Sequence, residues 1–241
     1  MAAAYGRGRP SYPPALVDWI LAEAGLCPGD KLADVGCGTG IATRLFAERG
    51  LDVVAVDPSE AMLAEARAAA GAARYQRGEA AATGLDASGV ALVSVAQALH
   101  WFDLPAALTE FRRVLRPGGA VAAFWNERAT GEFMDAYNRL LSRYSSEYTG
   151  RERARDTIAA VRAQPEVRAL RERAFAHAQE LDWDTLVDRV QSSSYVAHGV
   201  TDRAGFLAAL RDLYAGHQRA GRVRFDYETL GFMFEFRRAS S

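Results

Sequence analysis

Residues Lys31 to Gly40, KLADVGCGTG, decide the reading of this chain, together with Val53 to Asp57, VVAVD, one helix further on. Each is an apolar run that ends in a turn. The first ends in Gly36, Gly38 and Gly40, the second in Asp57-Pro58. Between them IATRLFAERG reads as a helix closed by Gly50. Strand, glycine turn, helix, strand, acid is the first half of a nucleotide-binding α/β unit. Glycines without side chains let a ligand approach the backbone N–H groups that open the helix. An acid at the tip of the second strand can accept two hydrogen bonds from a ribose diol. Many α/β proteins have one of these features; the two together, at this spacing, point to a bound nucleoside.

Outward from this unit the alternation continues. Residues 14 to 25, PALVDWILAEAG, read as an amphipathic helix stopped by Gly25. SEAMLAEARAAA reads as a helix N-capped by Ser59, and Tyr75 to Arg77 as a short third strand ending at Gly78-Glu79-Ala80. Val90 to Ala96 is apolar enough for a buried parallel strand. A helix over Pro105 to Leu115 stops at the RPGG of Arg116 to Gly119, and Ala120 to Trp125 follows as strand five. Residues 127 to 173 are charged and read as helical, a candidate insertion capping the acceptor site. Phe175 to Trp183 and Arg222 to Arg238 read as the last strands. The expected organisation is an α/β core of residues 1–126 and 174–241, a lid segment over about residues 1–14, and a helical insertion over 127–173.

Composition narrows the function. The chain has 241 residues, 49% of them hydrophobic, so it can bury a sizeable core. A net charge of −1 argues against a nucleic-acid-binding surface as its main purpose. The two cysteines, Cys27 and Cys37, have no metal-ligand spacing with a histidine, so neither a zinc site nor a disulfide framework is expected. No apolar run approaches the ~18 residues of a membrane span, and the N-terminus lacks a signal-peptide core. The expectation is a cytoplasmic monomer or homodimer with a small-molecule partner, no nucleic acid and no membrane.

The dinucleotide fingerprint is G-x-G-x-x-G or A. Here the third glycine comes two residues after the second, and Ile41 stands where the fingerprint wants Gly or Ala. The pattern DVGCGTG followed by VDPSEAML instead resembles the S-adenosylmethionine site of class I methyltransferases, and the resemblance runs in order over about residues 30 to 125. It implies a doubly wound, mostly parallel, Rossmann-like seven-stranded α/β sheet with the helical insertion after strand five. It also implies S-adenosyl-L-methionine as cofactor and S-adenosyl-L-homocysteine as product. By the same resemblance Asp34 lies near the methionine moiety, with Gly36, Cys37, Gly38 and Gly40 beneath it. Asp57 holds the ribose, Pro58 and Met62 flank adenine, and Glu79-Ala80 meets the adenine edge. Glu79 stands where the family more often has Asp.

The end of strand four reads Ala96-Gln97-Ala98-Leu99-His100-Trp101-Phe102, with Gln97 joining the cofactor-binding set. It lacks the Pro-Pro-aromatic loop of adenine- and glutamine-modifying relatives and the acid cluster of metal-dependent ones. With YGRGRPSYPP upstream and the serines of Ser192 to Tyr195, it is similar to small-molecule methyltransferases of the trans-aconitate type. A sulfonium donor leaves as a neutral thioether, so alignment and exclusion of water carry the rate, and orientation can supply on the order of 7 kcal/mol. A base is needed only for a protonated acceptor. His100 is the candidate base or orienting group, or simply a pocket wall. A carboxylate acceptor would call instead for an arginine, with Arg128, Arg151, Arg153 and Arg155 available. Tyr5, Arg9, Tyr12, Trp101, Trp125 and Tyr195 are candidates for the lid or acceptor pocket. The function implied is methyl transfer to a small molecule at a hydroxyl or carboxylate oxygen. An RNA or protein methyltransferase, a nicotinamide oxidoreductase and a non-catalytic binder of the same cofactor are the rivals.

Overall fold

The computed structural model describes residues 9–69, 71–149 and 153–237. Seven strands form one sheet in the order β3-β2-β1-β4-β5-β7-β6: β1 (Lys31–Val35), β2 (Asp52–Asp57), β3 (Arg74–Arg77), β4 (Val90–Ala96), β5 (Leu115–Arg128), β6 (Val167–Leu181) and β7 (Val223–Phe236). The β1–β2, β1–β4, β2–β3 and β4–β5 pairs are all parallel, and the sheet as a whole is mixed, mostly parallel, with helices on both sides. The doubly wound α/β architecture expected from the sequence is the one observed. β4 is buried over six consecutive residues, because helices cover both faces of a central parallel strand.

Local chemistry sets the helix boundaries. Helix α1 (Pro14–Ala24) begins at a proline and ends at Gly25, whose φ of 62° lets its N–H reach back to Ala22 and Leu21. Helix α2 (Ile41–Ala47) follows the glycine turn, and α3 (Glu60–Ala68) is capped by Ser59 as expected. A 3₁₀ turn over Leu99–Trp101 leads to α4 (Leu104–Val114), which Asp103 caps through the Ala106 N–H. Beyond β5 come α5 (Glu132–Tyr144) and α6 (Arg153–Arg162), then α7 (Trp183–Gln191), α8 (Ser194–Ala197) and α9 (Arg203–His217).

Two expectations change. Residues 127–173 are not helical throughout, since β6 already begins at Val167. The run VRALRER does not alternate, since Arg168 and Ala169 are both exposed after the buried Val167 and Ala169 takes a φ of 52°. β5 also begins earlier than expected, at Leu115, and takes in RPGG, where the β4–β5 register shifts between Val90 and Leu92.

The described residues divide into two compact units, those within 11–126, 153–175 and 229–237 in one, and those within 9–10, 127–149 and 176–228 in the other. Each has its own core. In the first, Phe46, Phe111, Phe124, Leu16 and Ile20 are fully buried, each contributing roughly 1.5–3 kcal/mol by leaving water. Tyr137, Phe206, Phe225 and Tyr227 do the same for the second. No described helix is long and apolar enough to cross a membrane.

Candidate active site

Parallel strands place their C-terminal ends on one edge, and the strand order reverses between β1 and β4. Ligands of open α/β sheets bind at such a switch point. Here the edge carries Gly36 after β1, Asp57 at the end of β2, Gly78-Glu79-Ala80 after β3 and Gln97 after β4.

The glycine turn is built differently from the simplest expectation. Gly36, Gly38 and Gly40 all have positive φ, at 72°, 54° and 75°. A Cβ on Gly36 would lie 2.7 Å from the Ala98 Cβ and 3.0 Å from the Phe102 ring, and one on Gly40 would lie 2.9 Å from the Tyr75 hydroxyl. Nothing stands within 4 Å of a Cβ on Gly38. Two glycines therefore admit the protein's own side chains, and only Gly38 opens outward. The amides are also committed. Gly36 and Cys37 both donate to the Val56 carbonyl at 2.8 and 3.1 Å, and Gly40 donates to the Cys37 carbonyl at 2.9 Å. Gly38 donates to Asp57 Oδ2 at 2.9 Å. The N–H groups of Gly36, Cys37, Gly38 and Gly40 therefore hold the turn in shape.

Asp57 gains from that arrangement. Its Oδ1 accepts from the Ser59 N–H at 2.9 Å while Oδ2 accepts from Gly38. The carboxylate is fixed, 8% exposed, and each oxygen keeps lone-pair capacity for another donor. Pro58 and Glu79 are exposed, Met62 and Ala80 half-buried. Glu79 pairs in a short antiparallel bridge with Ala82. That loop is braced from below, because Thr83 donates its N–H and its hydroxyl to Glu110 Oε1 at 2.9 and 2.5 Å. Arg113 and Thr83 hold the Glu110 carboxyl down to about 2 against the upward pull of burial.

Asp34 is completely enclosed. Its Oδ2 accepts from the Thr43 hydroxyl at 2.5 Å, whereas Oδ1 has no partner of hydrogen-bond geometry among the described residues. Burial pushes its pKa up to about 6, although the Thr43 and Ser94 hydroxyls oppose the rise. Ser94 lies near enough to act electrostatically without meeting hydrogen-bond geometry. Cys37 is buried beside Asp34 and Asp57, and burial followed by those two charges pushes its thiol far up. It packs with Ala55, Leu63 and Tyr75 and is no nucleophile.

At the end of β4, Gln97 takes φ 58°, a conformation uncommon outside glycine and found at ligand sites. Its amide N–H donates to the Phe124 carbonyl at 2.9 Å. The next turn holds His100, whose Nδ1 accepts from the Trp125 indole N–H at 3.3 Å. Trp125 is 1% exposed, so it is a buried support for His100 and does not line a pocket. Trp101, in contrast, is 66% exposed and lies 4.9 Å from His100 between ring centroids. Accepting at Nδ1 leaves neutral His100 with its proton on Nε2.

The lid candidates separate. Tyr5 lies outside the described residues. Tyr12 is 7% exposed and packs edge-on against Phe124 at 4.7 Å, so it belongs to the core. Arg9 donates to the Ser192 carbonyl at 3.0 Å. Tyr195 accepts from Arg128 Nη1 at 2.5 Å. Sequence reasoning missed Asn126, which donates to the Ser11 carbonyl and accepts from the Thr229 hydroxyl. It also missed Arg189, buried at 7% exposure, which donates to the Tyr227 hydroxyl at 2.7 Å. Among the described residues no group of three or more His, Cys, Asp or Glu could hold a metal ion.

The chain is similar to known methyltransferases. Residues 33–123 match a methyltransferase domain family. An uncharacterized methyltransferase of Mycobacterium bovis is 49% identical over 125 residues, covering 52% of this chain and 50% of that protein. A malonyl-[acyl-carrier protein] O-methyltransferase of Serratia marcescens is 35% identical over 128 residues, 50% of each chain. The chain thus aligns with about half the length of the curated relatives it matches. Among solved structures, one described as a candidate type II methyltransferase from Anaeromyxobacter dehalogenans is 29% identical. It covers 93% of this chain and 95% of its own, with a TM-score of 0.68. Residues 33–123 thus resemble a methyltransferase domain, and they lie on a Rossmann-like sheet.

Proposed function

We propose that the protein is an S-adenosylmethionine-dependent methyltransferase that acts on an oxygen of a small-molecule acceptor. The observation that carries this reading is Asp57, held by the Gly38 and Ser59 amides at the end of β2, inside the stretch that matches the methyltransferase domain. The residues present fit the cofactor. Asp57 keeps acceptor capacity for a ribose diol, Gly38 faces open space, and the unpartnered Asp34 Oδ1 leaves a local demand for positive charge. When bound, S-adenosylmethionine supplies an electrophilic methyl on a sulfonium, and its neutral leaving group needs no acid.

The chain's own residues then bind, orient and exclude water. Gly36, Cys37 and Gly40 tie the turn to β2 and to itself, so little is left to reorganise when a ligand enters. His100 presents an Nε2–H donor rather than a lone pair, which suits it to orient an acceptor oxygen instead of deprotonating it. That favours an acceptor already ionised at neutral pH. The exposed Trp101 beside it offers a flat apolar surface. The similarity of the strand-four end to the trans-aconitate type and of the domain to a malonyl-[acyl-carrier protein] O-methyltransferase supports a carboxylate-bearing acceptor.

Thermal unfolding with and without ligands tests the cofactor. S-adenosylmethionine or S-adenosylhomocysteine at about 100 times its dissociation constant adds about 2.7 kcal/mol, a rise in Tm of roughly 5–10 °C for a chain of this size, and NAD adds nothing. Stabilisation by NAD alone, or by none of the three, sinks the proposal.

A further inference from the structure

The unit that holds residues 127–149 and 176–228 carries a buried arginine, Arg189, and a half-buried one, Arg128, neither paired with an acid among the described residues. Arg128, the last residue of β5, donates through Nε to Asn138 Oδ1 at 2.8 Å, through Nη1 to the Tyr195 hydroxyl at 2.5 Å and through Nη2 to the Tyr148 hydroxyl at 3.1 Å. Its guanidinium lies 5.4 Å from the Tyr195 ring centroid and 5.2 Å from that of Tyr148. Arg189, on α7, donates through Nε to the Tyr227 hydroxyl at 2.7 Å and lies over Phe225 and Tyr227 at 5.3 and 5.6 Å. Tyr227 in turn donates to Gln179 Oε1 at 2.8 Å.

Among the described residues neither guanidinium forms an ion pair. For the buried Arg189 that is unusual, because buried charges are normally paired or bound to a ligand. Phenols and ring faces offset part of the desolvation but bring no negative charge. The two cations also share a neighbourhood. Burial raises the Tyr195 hydroxyl, yet the charges of Arg128 and Arg189, and more weakly Arg9, outweigh it and bring its pKa down. Three arginines thus bear on one tyrosine, and Arg189 has both Nη groups without a hydrogen bond to any described residue.

We propose that Arg128 and Arg189, with the Tyr195 hydroxyl, form an anion site that takes the carboxylate of a small molecule. The anion site does not depend on the methyltransferase reading. Planar, fork-shaped guanidinium donors match a carboxylate, and tyrosine hydroxyls complete its coordination without a second charge. A phosphate has the same donors available, so the test includes it.

Titration calorimetry on the full chain with succinate, dimethyl succinate and inorganic phosphate decides it. Succinate should bind saturably, its neutral diester at least tenfold more weakly, and phosphate more weakly than succinate. Arg128→Met should weaken succinate at least tenfold while S-adenosylhomocysteine binds as in the wild type. Should Arg128→Met or Arg189→Met lose its fold by circular dichroism, Arg128→Lys and Tyr195→Phe replace them, each with at least threefold weaker succinate binding. Succinate that does not bind the wild type, or binds all variants equally, overturns the proposal, and phosphate binding tighter than succinate overturns the carboxylate assignment. Loss of S-adenosylhomocysteine binding by the wild type, with succinate binding intact, would refute the methyltransferase reading and leave the anion site standing.

Discussion

Replacing Asp34 by Asn removes a charge the fold holds at a cost. In the unfolded chain this carboxyl loses its proton near 3.8, and in the folded protein burial holds the proton on until about 6. Between those values the native state binds more protons than the unfolded one, so stability falls as pH rises through the window. Above pH 6 the loss is complete and amounts to on the order of 3 kcal/mol. Asn keeps an oxygen to accept from the Thr43 hydroxyl and cannot ionise. Urea unfolding of the wild type and Asp34→Asn, without ligand, should therefore give stabilities whose difference shifts in favour of Asn by roughly 2–3 kcal/mol between pH 4 and pH 8. Any fixed cost of the extra amide N–H groups cancels from that comparison. A difference that does not change with pH would refute the reasoning. An acid kept where it destabilises the fold marks a place where function outweighs stability.

Four further outcomes follow from the same geometry. Glu110, held down to about 2 chiefly by Arg113, contributes stability above pH 4.5 that disappears as pH falls toward 2; Glu110→Gln should remove that acid sensitivity and cost on the order of 1–2 kcal/mol at pH 7, read by the same unfolding curves. Gly36→Ala places a methyl 2.7 Å from Ala98 in a left-handed backbone and should destabilise by about 2–4 kcal/mol. Gly38→Ala, with open space around it, should cost only about 1 kcal/mol, and equal effects would show that the Ala98 contact does not matter. In ¹⁵N-histidine NMR spectra His100 should carry its proton on Nε2, and Trp125→Phe should shift that equilibrium; a proton found on Nδ1 would remove the orienting role.

The cofactor half of the molecule was legible because its signals are local. Three glycines, an acid and two apolar runs lie within 27 residues of one another, and each strand end follows from its own turn. The same locality hid what the turn does with its donors: Val56 accepts from Gly36 and Cys37 across β1 and β2, and only the strand pairing brings them together. Tyr12 looked like a lid residue because tyrosine among prolines suits a strap, yet α1 begins two residues later and carries the ring into the core. Trp125 and His100 lie 25 residues apart and meet only because β4 and β5 are neighbours. Arg189 gave no sequence signal. Its position on α7 reads as one more charged residue on an amphipathic helix, and only the contacts with Tyr227 and Phe225 make it conspicuous.

The central claim is that the β2 carboxylate, fixed by the glycine turn, holds the ribose of a sulfonium cofactor. Titration of S-adenosylhomocysteine into the wild type and Asp57→Ala tests it most directly. The account predicts saturable one-to-one binding to the wild type and binding weaker by about 10- to 100-fold in the variant, the loss of charge-assisted hydrogen bonds worth roughly 1.5–3 kcal/mol. An S-adenosylhomocysteine affinity unchanged by Asp57→Ala, or absent in the wild type, would contradict it.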